Sequence, residues 1–126
     1  MTERRDQYYR QTIGQWMDEL PGDLFRDATG LWEIVSFGRQ GFGLSGSELV
    51  DFVKRGVLAL LAKGAKPVTG ASDGSHIWQR LYGYGEEPEQ MADAIIEEWQ
   101  RAGRDPDYGG VWFATPHVYE ERRPGR

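Results

Sequence analysis

The sequence predicts an α+β domain, with two long amphipathic helices set among short strands. Three observations carry that prediction. Apolar residues recur at helical spacing in two stretches: Leu49, Val50, Val53, Val57, Leu60 and Leu61, then Met91, Ala92, Ile95, Ile96, Trp99 and Ala102. Around them lie short runs rich in β-branched and aromatic residues, "LWEIVSF", "KPVTG", "HIWQRLYGY" and "VWFAT". Most glycines and prolines fall between these runs, where chain reversals need them.

Each element has its own signals. A first helix is expected from about residue 3 to 20, with Tyr9, Ile13, Trp16, Met17 and Leu20 on one face and Pro21–Gly22 as its stop. After a loop over 23–30, "LWEIVSF" (31–37) is apolar on both faces apart from Glu33 and Ser36, which suits a central strand. A glycine-rich turn leads to a helix over about 47–63, capped by Ser45 or Ser47 and ended by Gly64. A short strand over 66–69 and turn residues over 71–75 follow, then a strand over 76–84 that alternates His76, Trp78, Arg80, Tyr82 and Tyr84 with Ile77, Gln79 and Leu81. The next helix starts at Pro88 and ends at Gly103. A last strand over 111–115 stops at Pro116.

Past the first helix the order is therefore β-α-β-β-α-β, the ferredoxin-like pattern. It consists of a four-stranded antiparallel sheet with two crossover helices and the first and third strands at its centre. The division expected is an N-terminal helix over 1–22 packed on the domain, a single α+β domain over 23–118, and a flexible C-terminal tail over 119–126. The N-terminal helix would pad one sheet edge or cover the open face.

Composition narrows the function classes. At 126 residues the chain has the size of one domain, large enough for a core without staples. A hydrophobic fraction of 39% with five Trp, six Tyr and five Phe marks a folded chain rather than a disordered one. The longest apolar run, "GVLALLA" (56–62), is far short of a membrane span. The charged start "MTERRDQYYR" lacks an apolar core of the secretory kind, so a cytoplasmic location is expected. With no cysteine, disulfides, thiol nucleophiles and thiolate metal sites are excluded. A net charge of -5 opposes nonspecific nucleic-acid binding.

Two patterns carry candidate function. In "GRQGFGLSGS", Gly41, Gly43 and Gly46 spell G-x-G-x-x-G, and with Arg39, Ser45 and Ser47 they make a candidate site for a small anion at a helix start. The dinucleotide fingerprint fits poorly, since Gly38, Arg39 and Gln40 intervene and "KPVTG" carries no acid for a ribose. A short stretch, "RQGFG", resembles the acyl-CoA pyrophosphate loop of acetyltransferases with an Arg/Gln-x-x-G-x-G pattern, but with Gly38 at the Arg/Gln position. Glycines that only permit a tight turn are the simpler reading.

The second pattern is the row His76, Trp78, Arg80 and Tyr82, a candidate interaction surface if the sheet face is open and plain core if it is covered. The carboxylates of "EEPEQMADAIIEEW" supply a further acidic face. His117 with Glu120 does not suggest a metal site, and neither histidine has the setting of a catalytic residue.

The expected function is a non-catalytic protein-interaction module that needs no cofactor. The alternative is a regulatory domain binding a small anion at residues 38–47. An enzyme using that loop for a nucleotide or acyl-CoA comes third.

Overall fold

The computed structural model describes residues 4–24, 27–70 and 78–121. In chain order the elements are α1 (Ile13–Glu19), a 3₁₀ turn (Leu20–Asp23), β1 (Thr29–Gly30), α2 (Leu31–Ser36), a π turn (Phe37–Gly41), α3 (Gly46–Ala62), β2 (Lys66–Gly70), β3 (Trp78–Arg80), α4 (Pro88–Ala102), β4 (Trp112–Ala114) and α5 (Pro116–Glu121). Among the described residues this is a mixed fold with five α-helices and one open, antiparallel four-stranded sheet.

The long helices sit where their apolar stripes predict. On α3, Leu49, Phe52, Val53, Val57, Leu60 and Leu61 are buried, and on α4 Met91, Ala92, Ile95, Ile96 and Trp99 are. Pro88 opens α4, and Gly103 closes it in the left-handed conformation at φ 71°. The two helices pack together within one core cluster, and Lys54 of α3 reaches Glu89 at 3.0 Å and Asp93 at 2.8 Å on α4.

The sheet runs β1-β4-β2-β3, with Val68 of β2 opposite both Trp112 of β4 and Arg80 of β3. Alternation along β4 sends Phe113 into the helix-side core, while Trp112 and Ala114 face the other way. On that second face Val68, Ala114 and Val118 form a smaller cluster flanked by Trp78, Trp112 and Tyr119.

The ferredoxin-like order is not the order of this sheet. That order places the first and third strands in the centre, whereas β4 and β2 occupy it here. The reason lies in residues 31–37, which are helix α2 and the start of the π turn instead of a strand. Leu31, Ile34, Val35 and Gly38 are all buried, an i, i+3, i+4, i+7 set. The Glu33 carboxylate also accepts the Gly30 N–H at 3.1 Å, which closes the first turn of the helix. Packing and capping outweigh the β preference of Trp, Ile, Val and Phe. The remaining first strand, two residues long, serves only as an edge.

The first helix also starts later than expected, at Ile13. Thr12 caps it: its hydroxyl accepts the Gln15 N–H at 3.2 Å while the Gln15 side chain accepts the Thr12 N–H at 2.9 Å. Ahead of it, the buried Asp6 carboxylate collects the N–H groups of Tyr8 (2.8 Å), Tyr9 (2.6 Å) and Gln11 (2.8 Å), a local bonding pattern that competes with helix.

Toward the other end, residues 119–121 of the expected tail belong to α5, which Val118 anchors against the second face of the sheet. It is therefore α5, not the N-terminal helix, that packs on that face. The expected turn at 71–75 and the strand start at His76 and Ile77 lie outside the described residues, as do 122–126. Residues 81–84 lie beyond the strand. No helix among the described residues is long and apolar enough to cross a membrane.

Candidate functional site

The glycine-rich segment is a helix-to-helix connection rather than a loop leaving a strand. Its glycines each meet a local demand. A Cβ on Gly41 would stand 2.7 Å from the Phe37 ring, so the ring lies directly on that backbone. Gly43 and Gly46 have φ of 68° and 57°, the left-handed region where other residues are strained. Ser45 is the N-cap of α3 without a side-chain hydrogen bond, and Ser45, Gly46 and Ser47 are exposed.

Arg39 points elsewhere. Its guanidinium grips Asp105, with Nε donating to Oδ2 at 2.7 Å and Nη2 to Oδ1 at 3.1 Å. The Arg39 hydrogen bond holds the Asp105 carboxyl below the usual carboxylate range against the opposing effect of burial, and the Trp99 indole N–H, 3.2 Å from Oδ1, adds to it. On the opposite side, the N-terminal turn is pinned to the π turn: the Gln7 N–H donates to Gly41 O at 2.9 Å and its amide to Gln40 O at 2.5 Å.

The second predicted surface is only partly assembled. Trp78 and Arg80 share the α5 side of the sheet, Tyr82 lies past the end of β3, and His76 is outside the described residues. Trp78 packs on Trp112 with ring centroids 5.1 Å apart. The Arg80 guanidinium lies 4.7 Å over the Tyr82 ring and donates to Leu81 O. Tyr82 is 80% exposed.

The structure adds three aromatics that the sequence reading left out. Trp112 neighbours Trp32 at 6.4 Å, and Trp32 meets the Tyr108 ring edge-on at 4.7 Å. The Trp112 indole donates to Tyr108 O at 2.8 Å. By contrast, the indole nitrogens of Trp32 and Trp78 are buried with no acceptor among the described residues. The alternation of "VWFAT" contained a signal for Trp112, whereas Trp32 was hidden by the strand assigned to its segment.

A cleft of about 440 Å³ also went unforeseen. Leu31, Leu81, Ile95, Trp99 and Val111 give it an apolar lining, and Tyr84, Glu98, Arg104, Asp105 and Asp107 add polar groups. The Tyr84 hydroxyl donates to Glu98 Oε1 at 2.7 Å. Burial pushes the Tyr84 phenol above its ordinary range, and the neighbouring Glu98 pushes it further. Among the described residues no group of three or more His, Cys, Asp or Glu side chains is arranged to hold a metal.

No family model, curated protein or solved structure matches this chain.

Proposed function

We propose that the chain is a non-catalytic protein-binding module whose contact surface is what α5 leaves exposed on the aromatic side of the sheet: the rings of Tyr82 and Tyr108, backed by the half-buried Trp32, Trp78, Arg80 and Trp112. One observation carries the proposal. The Tyr82 and Tyr108 rings are 80% and 73% exposed, with the Arg80 guanidinium 4.7 Å over the first and Trp32 edge-on to the second at 4.7 Å. Aromatic rings left in water, one with a cation stacked on its face, gain apolar and cation–π contact when a partner covers them. Trp, Tyr and Arg are also the residue types that dominate binding hot spots.

The alternative, a small-anion site at Arg39, Gly41, Gly43, Ser45, Gly46 and Ser47, has less support. Asp105 already occupies the Arg39 fork, and the glycines answer backbone demands. The nucleotide or acyl-CoA enzyme shares that weakness, because it would use the same loop.

A photo-reactive phenylalanine at position 82, compared with one at Glu97 on the acidic helix α4, tests the proposal in cells. A discrete protein adduct from position 82 that disappears with Trp78→Ala is the expected result, with circular dichroism confirming that the variant folds. Adducts only from position 97 would move the contact to the acidic helix and overturn the assignment.

A further inference from the structure

The cleft beside α4 opens on the helix-side core, next to the proposed contact surface, since Leu81 and Asp107 in its lining adjoin Tyr82 and Tyr108, and the lining separates by chemistry. Leu31, Ile95 and Trp99 are buried core residues that also form its apolar wall. About 440 Å³ falls within the usual range for small-molecule sites. The charged groups are of both signs. Asp105 is neutralised by Arg39, which leaves Glu98 and Asp107 as carboxylates with no cationic partner among the described residues.

Each of these carboxylates has one oxygen in a neutral hydrogen bond: Glu98 Oε1 takes the Tyr84 hydroxyl, and Asp107 Oδ1 takes the Gly109 N–H at 2.9 Å. Both side chains are exposed, and among the described residues their second oxygens accept no hydrogen bond, which leaves them to accept from a ligand. Arg104 follows directly after Gly103, the left-handed glycine that ends α4, and it too lines the cleft. It is exposed and forms no ion pair among the described residues.

An apolar wall flanked by two acceptors of negative charge and one fork of positive charge matches a zwitterion with an apolar side chain. A plain amine would leave Arg104 unused, and a plain carboxylate would face Glu98 and Asp107 with nothing to offer them. The geometry points to this cleft as a binding site for a free apolar α-amino acid, its ammonium held by Glu98 and Asp107, its carboxylate by Arg104, and its side chain against Leu31, Ile95 and Trp99. Tyr84 is a positioning residue here, since its hydroxyl fixes the Glu98 carboxylate.

Calorimetry with L-phenylalanine, 3-phenylpropionate and phenethylamine tests the assignment on the full chain, at concentrations up to about 10 mM, enough to reveal millimolar affinity. Phenylalanine should bind more tightly than either analogue, each of which lacks one charged group. Glu98→Gln keeps an acceptor for Tyr84 but removes the charge, and should weaken phenylalanine roughly tenfold, about 1.4 kcal/mol. It should leave phenylpropionate unchanged or improved. Arg104→Gln, on an exposed side chain, should weaken phenylalanine and leave phenethylamine unchanged. Ala102→Trp, which fills the cleft from its exposed rim, should abolish all binding. The proposal is overturned by an absence of binding to the folded wild-type chain, by an analogue that binds as tightly as phenylalanine, or by affinities that ignore all three substitutions.

Discussion

Arg39 and Asp105 are 66 residues apart in sequence, yet they meet through two parallel hydrogen bonds of 2.7 and 3.1 Å. The pair ties the π turn after α2 to the loop after α4, and so fixes one wall of the cleft. Both side chains are nearly half exposed, at 44% and 42%, so solvent screens the attraction heavily. The double-mutant cycle of Arg39→Gln and Asp105→Asn is expected to give a coupling of at most about 1 kcal/mol in urea denaturation. Repeating the cycle near 1 M salt, where screening extends only ~3 Å, should shrink it further.

Two glycines of the connection should fail for different reasons. Gly41→Ala drives a methyl group into the Phe37 ring, and overpacking of this kind costs about 1–3 kcal/mol. Gly43→Ala meets no atom within 4 Å, but at φ 68° it pays the left-handed penalty of about 1–2 kcal/mol. Chemical denaturation with and without phosphate checks both. Losses that are the same in either buffer fit backbone geometry; losses enlarged by phosphate would reinstate an anion site.

Phe113 is fully buried at the centre of β4, between the sheet and the helices. Phe113→Ala should cost about 3–5 kcal/mol, a large share of the stability of a domain this size. Thermal melts report it. A loss under about 1 kcal/mol would mean that the central strand is not held as described.

Stability should fall at both ends of the pH scale, for opposite reasons. Burial opposes ionisation of Asp6, but the N–H groups of Tyr9, Gln11 and Tyr8 outweigh it and lower its pKa. Its contribution is present above the unfolded carboxylate value of about 3.9 and is lost as pH drops through the lower folded value. Burial and then Glu98 raise the Tyr84 pKa, so its contribution is intact below the unfolded phenol value of about 10 and fades as pH rises through the higher folded value. Denaturation across pH, repeated with Asp6→Asn and Tyr84→Phe, should flatten the acid and alkaline limbs respectively.

The sequence disclosed elements that carry their own boundaries. Helices α3 and α4 lie within a residue or two of their expected ends because caps, stripes and closing glycines all occur inside each segment. "LWEIVSF" misled because one set of residues fits both patterns. Leu31, Ile34, Val35 and Gly38 form a helical stripe, yet Trp32 and Phe37 on the remaining sides make the segment look like a strand covered on two faces. The sheet order rests on pairings such as Pro67 with Phe113, which no local pattern encodes. The cleft escaped notice for the same reason, since Leu31, Leu81, Glu98 and Asp107 become neighbours only after folding. Of the candidate residues, Trp78 and Arg80 do share a sheet face, whereas Arg39 is taken up by a partner from far along the chain.

The position of β4 has a consequence for biosynthesis. Among the described residues, β1 bonds only to β4, and β2 reaches β1 only through it. A ribosome therefore delivers the strand that unites the sheet after every strand it joins. Until Trp112 to Ala114 emerge, β2 carries an open edge and the helices α2, α3 and α4 have no Phe113 beneath them. A nascent chain paused at that stage would expose both the edge and the apolar faces of the helices, which makes the interval before β4 is made the period when it most needs a chaperone.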